Sequence, residues 1–65
     1  MIVGNGAVIG GNATVVPGCN LGARSVLAAG SVLTHDLPAE EVWAGNPARY
    51  LMSRAAYEQR REDEA

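Results

Sequence analysis

Residues 15–36 read VVPGCNLGARSVLAAGSVLTHD. Three glycines and a proline give the stretch the composition of a loop, yet an aliphatic residue returns at every sixth position. Carried outward in the same frame from Val3, the chain divides into VGNGAV, IGGNAT, VVPGCN, LGARSV, LAAGSV and LTHDLP. The first positions, Val3, Ile9, Val15, Leu21, Leu27 and Leu33, are all aliphatic. The fifth positions, Ala7, Ala13, Cys19, Ser25, Ser31 and Leu37, are small in all but the last. The pairs between them, such as Asn5-Gly6, Pro17-Gly18 and Ala29-Gly30, are mostly turn formers.

A period of six suits neither an amphipathic helix, which wants apolar residues three and four apart, nor a long strand, which alternates. It suits a short strand followed by a corner. The aliphatic residue points inward, the small residue lies near the narrowing corner, and Gly or Asn at the corner tolerates positive φ. Stacked units of this kind build an all-β solenoid around a narrow aliphatic core. The six units make roughly two coils, with all six first-position aliphatics expected to be buried.

Size sets a further condition. A 65-residue chain is at most one domain. A domain this small buries only about 60% of the surface its unfolded chain exposes and ordinarily needs a disulfide, a metal or a partner. Cys19 is the only cysteine and His35 the only histidine, so neither an internal disulfide nor a metal-ligand cluster is legible, and no metal is expected. A partner subunit or further chain is left to complete the core. Met1 falls at a fifth position with no polar cap before Val3, so the first coil is expected to expose its aliphatic cross-section and to self-associate. The formal net charge of −2 gives no electrostatic case for nucleic acid or an anionic membrane. No apolar run approaches the roughly 20 residues of a membrane span, no signal peptide is visible, and a cytoplasmic setting is the expectation.

With the hexads of residues 3–38 and the closing segment AGSVLTHDLPAEEVWAGNPARYL at 29–51, the chain resembles the hexapeptide-repeat acyltransferases. The resemblance implies a short left-handed parallel β-helix followed by a C-terminal α-helix, and marks the chain as the C-terminal portion of such an enzyme. It implies acyl transfer from acetyl-CoA to a hydroxyl or amine of a small-molecule acceptor, with active sites between the subunits of a homotrimer. In this family a histidine serves as general base, in or near upstream coils. His35, in LTHDLP, stands at a last-repeat corner where family members often carry Lys, so a solvated corner residue is the expected role and the base lies elsewhere. The pantetheine arm of CoA runs beside the last coils in the family, held by main-chain groups at small-residue corners. Ala28, Ala29 and Gly30 match such a corner, and Arg49 matches the basic residue of the G-N-P-A-R ending that lies near the CoA phosphates.

The chain is expected to divide into coils at 1–38, a loop at 39–46 and a helix at 47–65 with a frayed acidic tail. Asn46 reads as an N-cap and Pro47 as the first helical residue. Ala48, Leu51, Met52, Ala55 and Ala56 then share one face, and Arg49 lies in the first turn, where exposed N–H groups add positive potential. Trp43 is expected to cover the end of the aliphatic core with its indole N–H at the rim. Cys19, Ser25 and Ser31 read as inward small residues without a nucleophile's neighbouring base. GNGAVIGG resembles a nucleotide loop, but the repeat explains Gly4 and Gly10 better. Two other functions remain open. One is a gamma-carbonic-anhydrase-like protein, which shares the fold and ending but needs three histidines on a metal. The other is a non-catalytic trimerising or capping module.

Overall fold

The computed structural model describes residues 1–64, with side chains through Arg60. Its elements are β1 (Val8–Ile9), β2 (Thr14–Val15), β3 (Val26–Leu27), β4 (Val32–Leu33), β5 (Glu41–Ala44), β6 (Arg49–Ser53) and α1 (Arg54–Glu64). The chain winds in three-sided turns. On one side Val3 bridges to Leu21 and Leu21 to Leu37. On the second, β1, β3 and β5 pair in parallel, Val8 with Val26 and Val26 with Val42. On the third, β2 pairs with β4, Thr14 opposite Val32.

The corners repeat one device. The N–H of each of the first five fifth-position residues donates to the carbonyl three residues before it: Ala7 to Gly4, Ala13 to Gly10, Cys19 to Val16, Ser25 to Gly22 and Ser31 to Ala28, at 3.2–3.3 Å. The residue between them at position four has positive φ in every case: Gly6, Asn12, Gly18, Arg24 and Gly30. That is the pattern of a type II turn, and Pro17-Gly18 is its preferred pair. Glycine at position two answers a different need. A Cβ on Gly10 would lie 2.3 Å from the Ala29 backbone nitrogen, and one on Gly22 the same distance from that of Ala39. Gly4 and Gly10 are therefore required by the close approach of successive turns, as their place in the repeat implies.

The interior is narrow. Cys19, Leu21, Leu27, Leu33, Leu37 and Ala48 form its buried cluster, with Ala7, Ala13, Val15 and Trp43 packed against it. Ser25 and Ser31 are buried in the same column. The Ser31 hydroxyl accepts the Gly45 N–H at 3.1 Å. The expected burial of all six aliphatics holds for Leu21, Leu27 and Leu33 only. Val3 is 44% and Ile9 40% exposed, and Val15 is half-buried. Each inward residue is covered from above and below, and those of the first turn meet a neighbour on one side alone.

The second turn is two residues shorter than the first. The hexad frame breaks at Thr34-His35-Asp36, and Leu37 takes the inward position beside Leu21 rather than the fifth position expected of it. The period then resumes from Leu37, with Glu40 at positive φ and Trp43 inward opposite Leu27. The expected loop at 39–46 thus holds strand β5, and the chain makes two complete turns and part of a third. The expected helix start at Asn46-Pro47 is replaced by a turn with a cis Asn46–Pro47 bond, which leads into β6, antiparallel to β5. Ala48, Leu51 and Met52 therefore do not lie on a helical stripe. The helix begins at Arg54, where the Ser53 hydroxyl accepts the Ala56 N–H at 3.1 Å as an N-cap. The frayed tail expected beyond Arg60 falls outside the described side chains.

Candidate functional site

The outward valines of the second side make a surface that the hexad reading left out. Val26 and Val42 are buried, yet they stand apart from the interior cluster. β6 extends their sheet beyond β5, and its Leu51 and Met52 with Tyr57 and Arg60 of α1 line the same groove as the valines. Leu51 has no opposite residue in the β5–β6 pairing, because Val42 faces Met52 and Trp43 faces Tyr50. This bulge lets Leu51 and Met52, adjacent in sequence, both line one groove.

The groove has a volume of about 430 Å³. Its floor is Val8, Val26 and Val42, its outer wall Leu51, Met52, Tyr57 and Arg60, and one end the Gly10 and Ala28-Ala29 corners. The Ala28-Ala29-Gly30 corner is held by backbone bonds: Ala28 N–H donates to Trp43 O at 3.0 Å and Gly30 N–H to Gly11 O at 3.0 Å. Gly30 takes φ 73°, which a side chain would strain. At this corner the side chains are small, Ala28 and Ala29 beside Gly10 of the turn before.

Among the residues singled out from sequence, Ala28 and Ala29 line the groove, and Gly30, Arg49 and His35 do not. Arg49 is exposed at the start of β6, not in the first turn of a helix, and its Nη1 donates to Ala48 O at 3.1 Å. The helix-terminal potential expected beside it is therefore absent. His35 is exposed at the shortened corner, its Nδ1 3.0 Å from Thr34 Oγ1. Asp36 accepts the Asn20 N–H at 2.8 Å, tying that corner to the turn before it. Trp43 lies half-buried against the core, and its indole N–H donates to Glu41 at 2.9 Å.

The sequence reading missed the helix wall and what holds it. Arg54 Nε donates to Glu58 Oε1 at 2.9 Å, and Arg24 Nη2 reaches the same oxygen at 3.0 Å. The hydrogen bond from Arg54, foremost, and the charge of Arg24 hold the Glu58 carboxyl below the usual glutamate range. Only the (i, i+4) spacing of Arg54 and Glu58 was visible in the sequence; their link to Arg24 is made by the fold.

The family model described as bacterial transferase hexapeptide (six repeats) matches residues 1–35. A 2,3,4,5-tetrahydropyridine-2,6-dicarboxylate N-acetyltransferase from Clostridium perfringens is 44% identical over 52 residues, which cover 80% of this chain and 22% of that protein. The crystal structure of a hexapeptide-repeat-containing acetyltransferase from Vibrio cholerae superposes with a TM-score of 0.79 at 42% identity, covering 82% of this chain and 31% of that one. A second such structure, from Vibrio cholerae O1 biovar eltor in complex with acetyl coenzyme A, gives 0.78 at 42% identity, covering 80% and 28%. The chain spans about a quarter of the length of the curated relatives it matches. Hexads, type II corners, glycines wedged between turns and these likenesses agree: the chain belongs to the bacterial transferase hexapeptide family.

Proposed function

We propose that this chain is the CoA-binding end of an acetyl-CoA-dependent acyltransferase, its turns those of a left-handed parallel β-helix and its working form a cytoplasmic homotrimer. The observation that carries the reading is the groove ending on the Ala28-Ala29 corner. Its apolar floor and wall suit the extended pantetheine arm, and the small corner lets the arm's amides approach the backbone. Arg60 on the helix wall is a cation suited to the pyrophosphate or 3′-phosphate, with Arg49 the second candidate through its place in the G-N-P-A-R ending. The Vibrio relative with acetyl coenzyme A bound supports the donor.

In the reaction, a base removes the acceptor's proton as its oxygen or nitrogen attacks the thioester carbonyl. The tetrahedral intermediate collapses with release of the CoA thiolate. The residues of this chain bind and orient the donor. His35, exposed and off the groove, is not the base in this reading, which comes from residues outside the groove described.

Titration of CoA and dephospho-CoA against the protein tests the assignment. Ala29→Phe fills the corner and is expected to abolish binding of both. Arg60→Ala and Arg49→Ala each remove one charge. The variant that has lost the 3′-phosphate contact is expected to weaken CoA roughly ten- to a hundredfold and dephospho-CoA much less. Wild-type affinity for CoA in Ala29→Phe would sink the reading.

A further inference from the structure

The groove has a wall that the apolar effect alone does not hold in place. In α1, Ala55, Ala56, Gln59 and Arg60 are exposed, and the described side chains of the helix form no continuous apolar stripe toward the strands. A set of polar contacts at its first residue ties it to the turns. The backbone N–H of Arg54 donates to Glu40 O at 2.7 Å. Its Nη1 donates to Gly6 O at 3.1 Å and to Arg24 O at 3.0 Å. Gly6, Arg24 and Glu40 are the positive-φ residues of three corners stacked one on the next. One residue thus collects the outward carbonyls of all three turns. Its side chain is 11% exposed, against 48% for Arg24.

We propose that Arg54 is a positioning residue for the groove: it pins the start of α1 to the stacked 6, 24 and 40 corners, and so holds Tyr57 and Arg60 over the valine floor. This rests on the reading of the groove as the CoA site. Tyr57 and Arg60 lie three and six residues beyond Arg54, about 4.5 and 9 Å further along a helix axis. Anchored at one side of the β1–β3–β5 surface, the helix carries them toward the Ala28-Ala29 end. Arg54 itself does not line the groove, so its effect on a ligand passes through the helix. Glu58 seconds the anchor by taking both Arg54 and Arg24, while Arg24 Nε also holds Glu40 at 2.9 Å.

Three measurements on the intact acyltransferase that carries this segment test this. In Arg54→Ala, amides of α1 are expected to exchange with solvent fast, while those of β3 and β4 keep their protection. KM for acetyl-CoA should rise about tenfold, the equivalent of one lost charge-assisted contact, with kcat changed less than twofold. Arg54→Lys keeps the charge but not the fork that gives Nη1 to the two carbonyls and Nε to Glu58, and should fall between wild type and Ala in both readouts. Protection lost uniformly across the strands would overturn the inference, because Arg54 would then hold the whole fold. So would an unchanged KM in a variant whose helix has come loose. Ala29→Phe separates the two failures. If it abolishes CoA binding while loosening α1 does not, the groove stands and the positioning role falls. If neither change affects CoA, both fall.

Discussion

At the scale of single residues, two kinds of glycine do different work in this chain. Gly6, Gly18 and Gly30 supply positive φ, and Asn12, Arg24 and Glu40 show that other residues can take the same corner conformation. Gly4, Gly10 and Gly22 supply absence of volume, and there the neighbour is backbone that cannot swing aside. Gly10→Ala should therefore lower stability by about 3 kcal/mol or more, at the upper end of overpacking effects. Gly11→Ala, next in sequence, meets nothing within 4 Å and should change stability by less than about 0.5 kcal/mol. Urea midpoints of the two variants check the contrast. An equal cost at both positions would mean that the contact between turns does not select glycine here, since chain entropy alone favours alanine.

At the scale of elements, the hexads made the coils legible because each side of a turn uses the same residue types in the same order. The reading failed after Leu33, where two residues drop out and the frame moves. From then on Leu37 and Trp43 carried the period, but in a register that a fixed count of six could not follow. The closing elements were misread for a different reason. Asn46-Pro47 has the chemistry of a helix start, and nothing local says that Tyr50 and Met52 will pair with β5 instead. The Ala28-Ala29 part of the site was visible because a corner is local. Arg54 and Arg60 were not, because their partners and the groove wall arise between distant segments. The same network gives α1 a pH dependence. Glu58, its carboxyl held below the usual range by Arg54 and then by the nearby Arg24 charge, binds its proton less readily docked than free. Its contribution is present at neutral pH and is lost as the pH falls through that lowered value, below the usual glutamate range. Exchange of the α1 amides should accelerate there before that of β3 and β4. Identical pH profiles for helix and strands would contradict a local latch.

At the scale of the whole molecule, the body is elongated, 35 × 21 × 17 Å, and its two ends differ. At one, Met1, Ile2, Val3 and Ile9 are exposed, between 40% and 71%. The 65-residue chain on its own should self-associate through this end, with a sedimentation coefficient that rises with concentration. Ile9→Glu should suppress the effect, and a wild-type chain that stays monomeric at all concentrations would refute it. At the other end β6 runs against the direction of β5, Trp43 lies over the core and α1 crosses the outer side. A further turn would need a parallel strand for its template and finds an antiparallel one. Growth is therefore one-ended. Molecules that stick only by matching open ends face to face form a closed pair about a twofold axis, whereas joining of unlike ends would run on into a fibre. The reversal of a single five-residue strand thus limits end-to-end association of the 65-residue chain on its own to a pair, and leaves the sides of the coils open to the proposed trimer.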